Sequence, residues 1–450
     1  MQVCDMLARS IALAAAVAVT ATAAAPASSP RPDPRILAMV RAVSASHLRA
    51  IDERLVGFRT RNDFSEIHST KTQGVFAARD WLVAQLKKIA ATSGGRMTVR
   101  LDTYVQPKLS FTPRAVTESS VIATLRGSEP GRVYVMSSHY DDCNGDCTDG
   151  LGVAPGADDN ASGTSAVLEA ARVMAATHFR GTIIFACFDG EELGLWGSAH
   201  FAREMAARHV PILADLNNDI VGNSKTHDGR SVFHTLRIFS EALPAGAKPR
   251  LVNLLGTEND SPSRELARFI VSTDRLYLPT LHIQEIFRAD RFLRGGDQES
   301  FQAEGYPAIR FTEASEVFEH QHQNVRVEHG VQYGDLPQYI DPNYLAQSTR
   351  ANVAALATLA LGPAAPTHVH IVLAHLGYTT TLRWRRAADA TAYEVLWRKT
   401  DAATWQHLRP VGDVTTVTLP ISYDDYVFAV RSVDANGLRS VGVFPSPVRK

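Results

Sequence analysis

Cysteine is scarce in this chain, four residues in 450. That is too few for a small disulfide-built scaffold, so stability must come from buried apolar surface. An excess of charge is also missing: 46 basic residues face 47 acidic ones, for a net charge of −1. Nothing in that balance gives a reason to expect a nucleic-acid partner. An apolar run long enough for a good membrane span is lacking too. The run Ile11 to Val19 is short and rich in alanine. No Leu-x-x-Cys lipid-attachment pattern is present, since Cys4 precedes that run.

What stands at the beginning instead is a basic residue, Arg9, the apolar run, and small residues through Ala27. This pattern reads as a secretory signal peptide over residues 1–27, cut after Ala23 or Ala27. The expectation is a secreted or periplasmic protein with no stable membrane span after cleavage; an uncleaved anchor is the alternative. Export permits a disulfide between Cys143 and Cys147, with two free thiols as the other reading. Cys187, inside the apolar run Thr182 to Phe188, is expected to be a buried hydrophobe.

Helical periodicity covers residues 34–56 and Gln73 to Ile89. Strand-like runs follow at Met97 to Tyr104, Ser120 to Leu125 and Val133 to Ser138. Then come a helix over Ala161 to Ala176, a buried strand over Thr182 to Phe188, a helix over Leu193 to His209, and a strand over Ala214 to Val221. This alternation predicts an α/β domain with a mostly parallel central sheet flanked by helices, over residues 28–362. A linker falls at Gly362-Pro363-Ala364-Ala365-Pro366. Beyond it, alternating strands predict a small all-β sandwich over 363–450, with Trp384 in its core. That module resembles a fibronectin type III domain. It has no catalytic cluster and is expected to be separable from the chemistry, with a surface or protein ligand of its own.

The chemistry concentrates where strands end. Ser138-His139-Tyr140-Asp141 is followed by Pro155-Gly156-Ala157-Asp158-Asp159-Asn160 and then by Asp189-Gly190-Glu191-Glu192-Leu193-Gly194. One imidazole and a dense set of carboxylates suit Zn²⁺, and a carboxylate can bridge two ions. Parallel sheets bind ligands beyond the carboxyl ends of their strands, where His139, Asp189 to Glu192 and Asp219 lie. Each group alone has a plain structural reading: a satisfied histidine, a helix cap at Asp158-Asp159, a solvated helix start at Glu191-Glu192. Their joint occurrence predicts a metal-dependent hydrolase.

In order and spacing these motifs resemble the co-catalytic zinc aminopeptidase family, which also contains glutamate carboxypeptidases and glutaminyl cyclases. The resemblance spans roughly residues 35–360 and implies a zinc-peptidase fold. It implies His139 as ligand of the first zinc, Asp141 as the carboxylate orienting that imidazole, and Asp158 as the bridging aspartate. It implies Glu191 as general base, Glu192 as ligand of the second zinc, and Asp219 as ligand of the first. The last ligand is placed at His322 in Phe318-Glu319-His320-Gln321-His322, with His320 as the alternative. Gln321 replaces the aromatic usual before that histidine, and Gly296-Asp297-Gln298-Glu299-Ser300-Phe301 has Gln where the family has His.

Other residues are left to structural roles: Asp159 as a helix cap, Glu313, Glu316 and Glu319 as pocket or surface carboxylates, and His200, His209 and His227 as surface. Arg326, Tyr333 and Asp335 are candidates for the pocket wall. The implied activity is a secreted exopeptidase, a metallo-aminopeptidase removing N-terminal residues from peptides with two Zn²⁺ per chain. A monozinc glutaminyl cyclase and a carboxypeptidase are the alternatives on the same scaffold. A non-enzymatic binding protein fits less well, because a scaffold has no use for Glu191 beside a ligand.

Overall fold

Ser44 divides the first helical stretch in two. Its hydroxyl accepts a hydrogen bond from the His47 amide, and its own amide donates to Glu169 at 2.8 Å. The periodic segment 34–56 is therefore α1 (Pro34–Ala42) and α2 (Ala45–Val56), each with its own N-cap. The computed structural model describes residues 31–374 and 376–449. The expected leader over 1–27 lies outside the described residues. Among the described residues no helix is long and apolar enough to cross a membrane.

The chain continues through α3 (Val75–Ala90), β1 (Met97–Gln106), β2 (Val116–Leu125), β3 (Glu129–His139), α4 (Gly163–Met174), β4 (Gly181–Phe188), α5 (Trp196–Ala207) and β5 (Ile212–Asn218). Next come β6 (Thr235–Ser240), α6 (Pro249–Leu255), α7 (Pro262–Tyr277), β7 (His282–Ile286), α8 (Gln298–Ala303) and β8 (Ala308–Glu313). A short hairpin, β9 (Arg326–Glu328) and β10 (Val331–Tyr333), precedes the long α9 (Pro342–Leu361). The eight-stranded sheet has the order β1-β2-β4-β3-β5-β8-β6-β7. Its four central strands, β4, β3, β5 and β8, run parallel, whereas β1, β2 and the β6–β8 pair are antiparallel. The core is thus parallel as expected and the margins are mixed.

Alternation along the central strands feeds two apolar layers. Tyr134, Met136, Ile183, Phe185 and Cys187 face the layer shared with α4 and α9. Val133, Val135, Ile184, Ala186 and Phe188 face Phe201 of α5 and Phe301 of α8. Burial on both faces explains the near-continuous apolar runs of β3 and β4. It also fixes their direction, so β3, β4, β5 and β8 all end at the same edge of the sheet.

The C-terminal module comprises β11 (Thr367–Val372), β12 (Thr380–Arg385), β13 (Ala392–Lys399), β14 (His407–Gly412), β15 (Thr416–Leu419), β16 (Tyr426–Val433) and β17 (Ser446–Val448). A four-stranded sheet, β15-β12-β11-β17, and a three-stranded sheet, β14-β13-β16, enclose a separate core. Trp384 lies in that core against Tyr393, as expected. Strands β14 and β17 were not anticipated from sequence.

The module is tied down. Arg398 of β13 pairs with buried Asp260. The Trp405 indole donates to Glu265 of α7 at 3.0 Å, and Arg268 donates to the Ala403 carbonyl at 2.8 Å. Arg132, at the start of β3, pairs with Asp389 of the module at 3.7 Å. The seam between the two units therefore lies at the amino ends of the parallel strands, across the sheet from His139.

Candidate metal centre

Each central strand delivers one part of the site at its carboxyl end. His139 closes β3, and Glu191 and Glu192 follow β4. Asp219 follows β5, and His322 lies in the loop after β8. The Nε2 atom of His139 is 3.3 Å from a carboxylate oxygen of Asp159 and 3.6 Å from one of Asp219. Glu191 approaches the same nitrogen at 4.0 Å. The Nε2 atom of His322 lies 2.8 Å from Glu192 and 3.2 Å from the other oxygen of Asp159. Two donor groups result, His139–Asp159–Asp219 and His322–Asp159–Glu192, sharing one carboxylate. Such separations suit atoms that each bind one ion at about 2.0–2.2 Å.

The shared carboxylate is Asp159, which corrects the assignment of that role to Asp158 and of a helix cap to Asp159. Asp158 points the other way, accepting from the Gly222 amide at 2.8 Å. The amides of Asp158 and Asp159 both donate to the Asp335 carboxylate, at 2.9 and 2.7 Å. The turn Ala157–Ser162 that precedes α4 is irregular, so these two consecutive side chains face opposite sides. Asp335 accordingly holds the turn from beneath and does not line the pocket. Arg326 and Tyr333, also considered for the wall, lie on the exposed β9–β10 hairpin, stacked on each other at 4.1 Å.

The remaining expectations divide. Asp141 lies 3.4 Å from Nδ1 of His139 and accepts from the Glu192 amide at 3.1 Å, a position suited to orienting both. His320 faces away from the cluster and stacks on Tyr339, with ring centroids 3.6 Å apart. Burial lowers its pKa to about 4. His322 adopts a left-handed backbone, φ 49°, within a turn, so the two imidazoles diverge. Cys143 and Cys147 form a disulfide beside Glu192 and His322. Glu313 is fully buried, and Glu316 is held by Arg237, Arg291 and Arg294 at 2.9–3.0 Å. His200 stacks on Tyr104 at 4.1 Å and is not a free surface group.

Charge at the site is unbalanced without cations. Burial opposes a proton on His139, but Glu191, Asp141, Asp159 and Asp219 outweigh it and raise its pKa well above the usual value. Glu192 chiefly pushes His322 up to about 12. Burial pushes the Glu191 carboxyl well above its ordinary range. Both ring nitrogens of His139, one oxygen of Glu192 and one of Asp219 have no hydrogen-bond partner. Buried polar atoms left unpaired are costly. Two divalent cations would take up the lone pairs of Nε2 and of the carboxylates and displace the protons, so the donor set fits metal.

The centre opens into a cleft of about 510 Å³, walled also by Leu195, Leu293, Arg291, Arg294 and Glu299. Sequence reasoning missed the two arginines. They sit outside any motif, and only the convergence of the β7–α8 loop on Glu316 brings them to the wall.

A family model for "Peptidase family M28" matches residues 120–355, which contain every residue of the two donor groups. The chain belongs to peptidase family M28. It is 43% identical over 421 residues to a probable zinc metalloprotease of the fungus Leptosphaeria maculans, covering 92% of this chain and 97% of that protein. In this M28 chain the fold is also similar to that of the Legionella pneumophila LapA aminopeptidase. That likeness has a TM-score of 0.52 at 18% identity, over 72% of this chain and 74% of that one. Glutaminyl cyclase of Porphyromonas gingivalis is similar over 70% of this chain and 98% of its own, with a TM-score of 0.50 at 19% identity. At such identities the two structures speak for the fold alone.

Proposed function

We propose that the chain is a zinc metallopeptidase that removes N-terminal residues from peptides, with two Zn²⁺ ions held by His139, Asp159, Asp219, Glu192 and His322. The observation that carries this reading is the division of one carboxylate, Asp159, between two histidine-containing donor groups. A shared carboxylate suits a pair of ions about 3.5–4 Å apart, as in two-metal hydrolases. Bound there, the ions would supply an acidified water and polarise the scissile carbonyl.

The chain's own residues do the rest. Glu191 takes a proton at its carboxylate and returns it to the departing amine. Cationic neighbours would favour its charged form, opposing the effect of burial. Asp141 stands 3.4 Å from Nδ1 of His139, placed to orient the ring so that Nε2 faces the centre. Asp335 and Asp158 keep the turn that presents Asp159. The name of the Leptosphaeria relative supports zinc as the metal, and the names of the structural neighbours support either an aminopeptidase or a glutaminyl cyclase. The leader pattern and the Cys143–Cys147 disulfide support export to an oxidising compartment. The C-terminal sandwich supports a fibronectin type III-like module.

One observation favours a second reading, a carboxypeptidase. Arg294 stands on the cleft wall, bound on one side to Glu316, and its remaining N–H groups could meet a C-terminal carboxylate. The experiment is metal analysis of the purified protein, paired with substrates that have a free N-terminus only, a free C-terminus only, or N-terminal glutamine. Two zinc ions and cleavage that requires a free amine support the proposal. One zinc with ammonia release would move it to a cyclase. Cleavage that requires a free carboxylate would move it to a carboxypeptidase. Full activity in metal-free protein would refute it.

A further inference from the structure

Behind His139 lies a second set of carboxylates, of which the zinc reading uses only Asp141. Asp63 comes from the turn Asp63–His68, Glu118 from β2, Asp141 from the end of β3 and Asp189 from the end of β4. All four are buried, with exposures of 2%, 0%, 0% and 1%. One oxygen from each of Asp63, Asp141 and Asp189 lies within 4.8 Å of the others. Glu118 is a separate observation. Neither of its oxygens has a hydrogen-bond partner, and one oxygen of each of the other three carboxylates is likewise unpaired.

The Glu118 side chain reaches this cluster through a gap that only glycine leaves. A Cβ on Gly190, next to Asp189, would come within 2.7 Å of its Oε2. Gly190 also has a left-handed backbone, φ 74°. Among the described residues no Lys or Arg pairs with any of the four, and His139 touches only Asp141. Up to four negative charges thus share a buried interior with no Lys or Arg partner among the described residues. Buried carboxylates in that state are strongly unfavourable unless they take up protons or an ion.

We propose that Asp63, Glu118, Asp141 and Asp189 enclose a third cation site, distinct from the zinc pair, that takes a hard divalent cation of calcium's size. The donor set is oxygen only, which selects against the softer metals. Ca²⁺ accepts irregular oxygen shells at about 2.3–2.6 Å, so donors on opposite sides stand nearly 5 Å apart. The spacing of the three aspartate oxygens fits inside that limit. The Tyr104 hydroxyl is a further buried oxygen without a hydrogen-bond partner. The ion would fix Asp141, which meets the His139 ring with one oxygen and the Glu192 amide with the other. A structural cation would then hold the frame of the zinc centre from behind.

The test uses the full chain, loaded with zinc and dialysed with or without Ca²⁺. Elemental analysis should find about one calcium per chain beyond the zinc complement. Calcium at millimolar concentration should raise Tm by several degrees. Tb³⁺ added to zinc-loaded protein should luminesce on excitation of the nearby tyrosines, and Ca²⁺ should quench the signal. Asp63→Asn and Glu118→Gln should each lose calcium and the Tb³⁺ signal while zinc content stays unchanged. Wild-type protein that retains no calcium, with a Tm indifferent to it, would overturn the site; so would variants that bind calcium as well as wild type. A third zinc in place of calcium would also overturn it. If the carboxylates simply share protons, both variants should gain stability without calcium, and the proposal fails. Zinc stoichiometry and peptidase turnover, measured on the same samples, keep this outcome separate from the fate of the zinc reading.

Discussion

Asp158 and Asp159 are adjacent and chemically identical, yet the structure gives them opposite duties, and exchanging either carboxylate for an amide should separate those duties. In Asp159→Asn both donor groups lose a shared anionic oxygen. Partners one step removed from a metal already cost about 10–100-fold in affinity when mutated, so loss of a ligand common to two ions should exceed about 100-fold. At zinc concentrations that saturate wild type, this variant should hold less than its full complement and lose nearly all turnover. In Asp158→Asn the amide oxygen can still accept from Gly222, whose N–H now lies 2.8 Å from the carboxylate. A hydrogen bond to a charged group is worth about 1.5–3 kcal/mol and a neutral one about half that. The expected loss is about 1 kcal/mol, seen as a Tm lowered by a few degrees, with zinc retained. Equilibrium dialysis with elemental analysis measures the first effect and thermal unfolding the second. If Asp158→Asn strips the zinc while Asp159→Asn keeps both ions and near-normal turnover, the geometric argument for the shared carboxylate is wrong.

Four further outcomes follow from the same geometry. Glu191→Gln should keep its metal and lose about 10²–10⁴-fold in turnover, the range for a general base, whereas Glu192→Gln should weaken metal binding; metal analysis beside kinetics tells them apart. His322→Ala should lower zinc stoichiometry sharply, whereas His320→Ala should leave it intact, because His320 packs on Tyr339. Burial pushes Glu265, at the seam with the C-terminal module, up to about 7. The unfolded value is near 4.3, so the folded state binds this proton more tightly and stability should fall as pH rises from about 4 to about 7; Glu265→Gln should flatten that slope in Tm. A chain ending at Leu361 should keep every metal donor but melt earlier than the full chain, because it uncovers Asp260, Glu265 and Arg268. An unchanged Tm would show that the seam contributes no stability.

Apolar runs that break into His139, Asp189 and Asp219 made the parallel core and the edge bearing the chemistry legible from sequence. Burial on both faces leaves that signature, and strand ends must point where the connections allow. The choice between Asp158 and Asp159 was not legible. It depends on Gly222 and Asp335, which meet the turn only after folding, across sequence separations of 64 and 177 residues. The break at Ser44 was hidden for the same reason, since Glu169, which fixes its amide, belongs to α4. His322 was placed by motif over His320, and the left-handed turn at His322 that parts the two imidazoles left no mark in the sequence. The arginine wall, Asp63 and Glu118 gave no local signal, because each of these residues sits in an unremarkable stretch of chain.

The donors of the zinc centre come from strand ends and loops spread between His139 and His322, and the helix that backs the sheet, α9, is made later still. No stretch of the chain holds both donor groups until residue 322 has been synthesised, and the layer beneath them closes only when α9 packs on β3 and β4. A growing or clipped chain therefore has scattered carboxylates and no centre. The order of the elements therefore keeps the centre from assembling before residue 322 and the helix that follows it have been made.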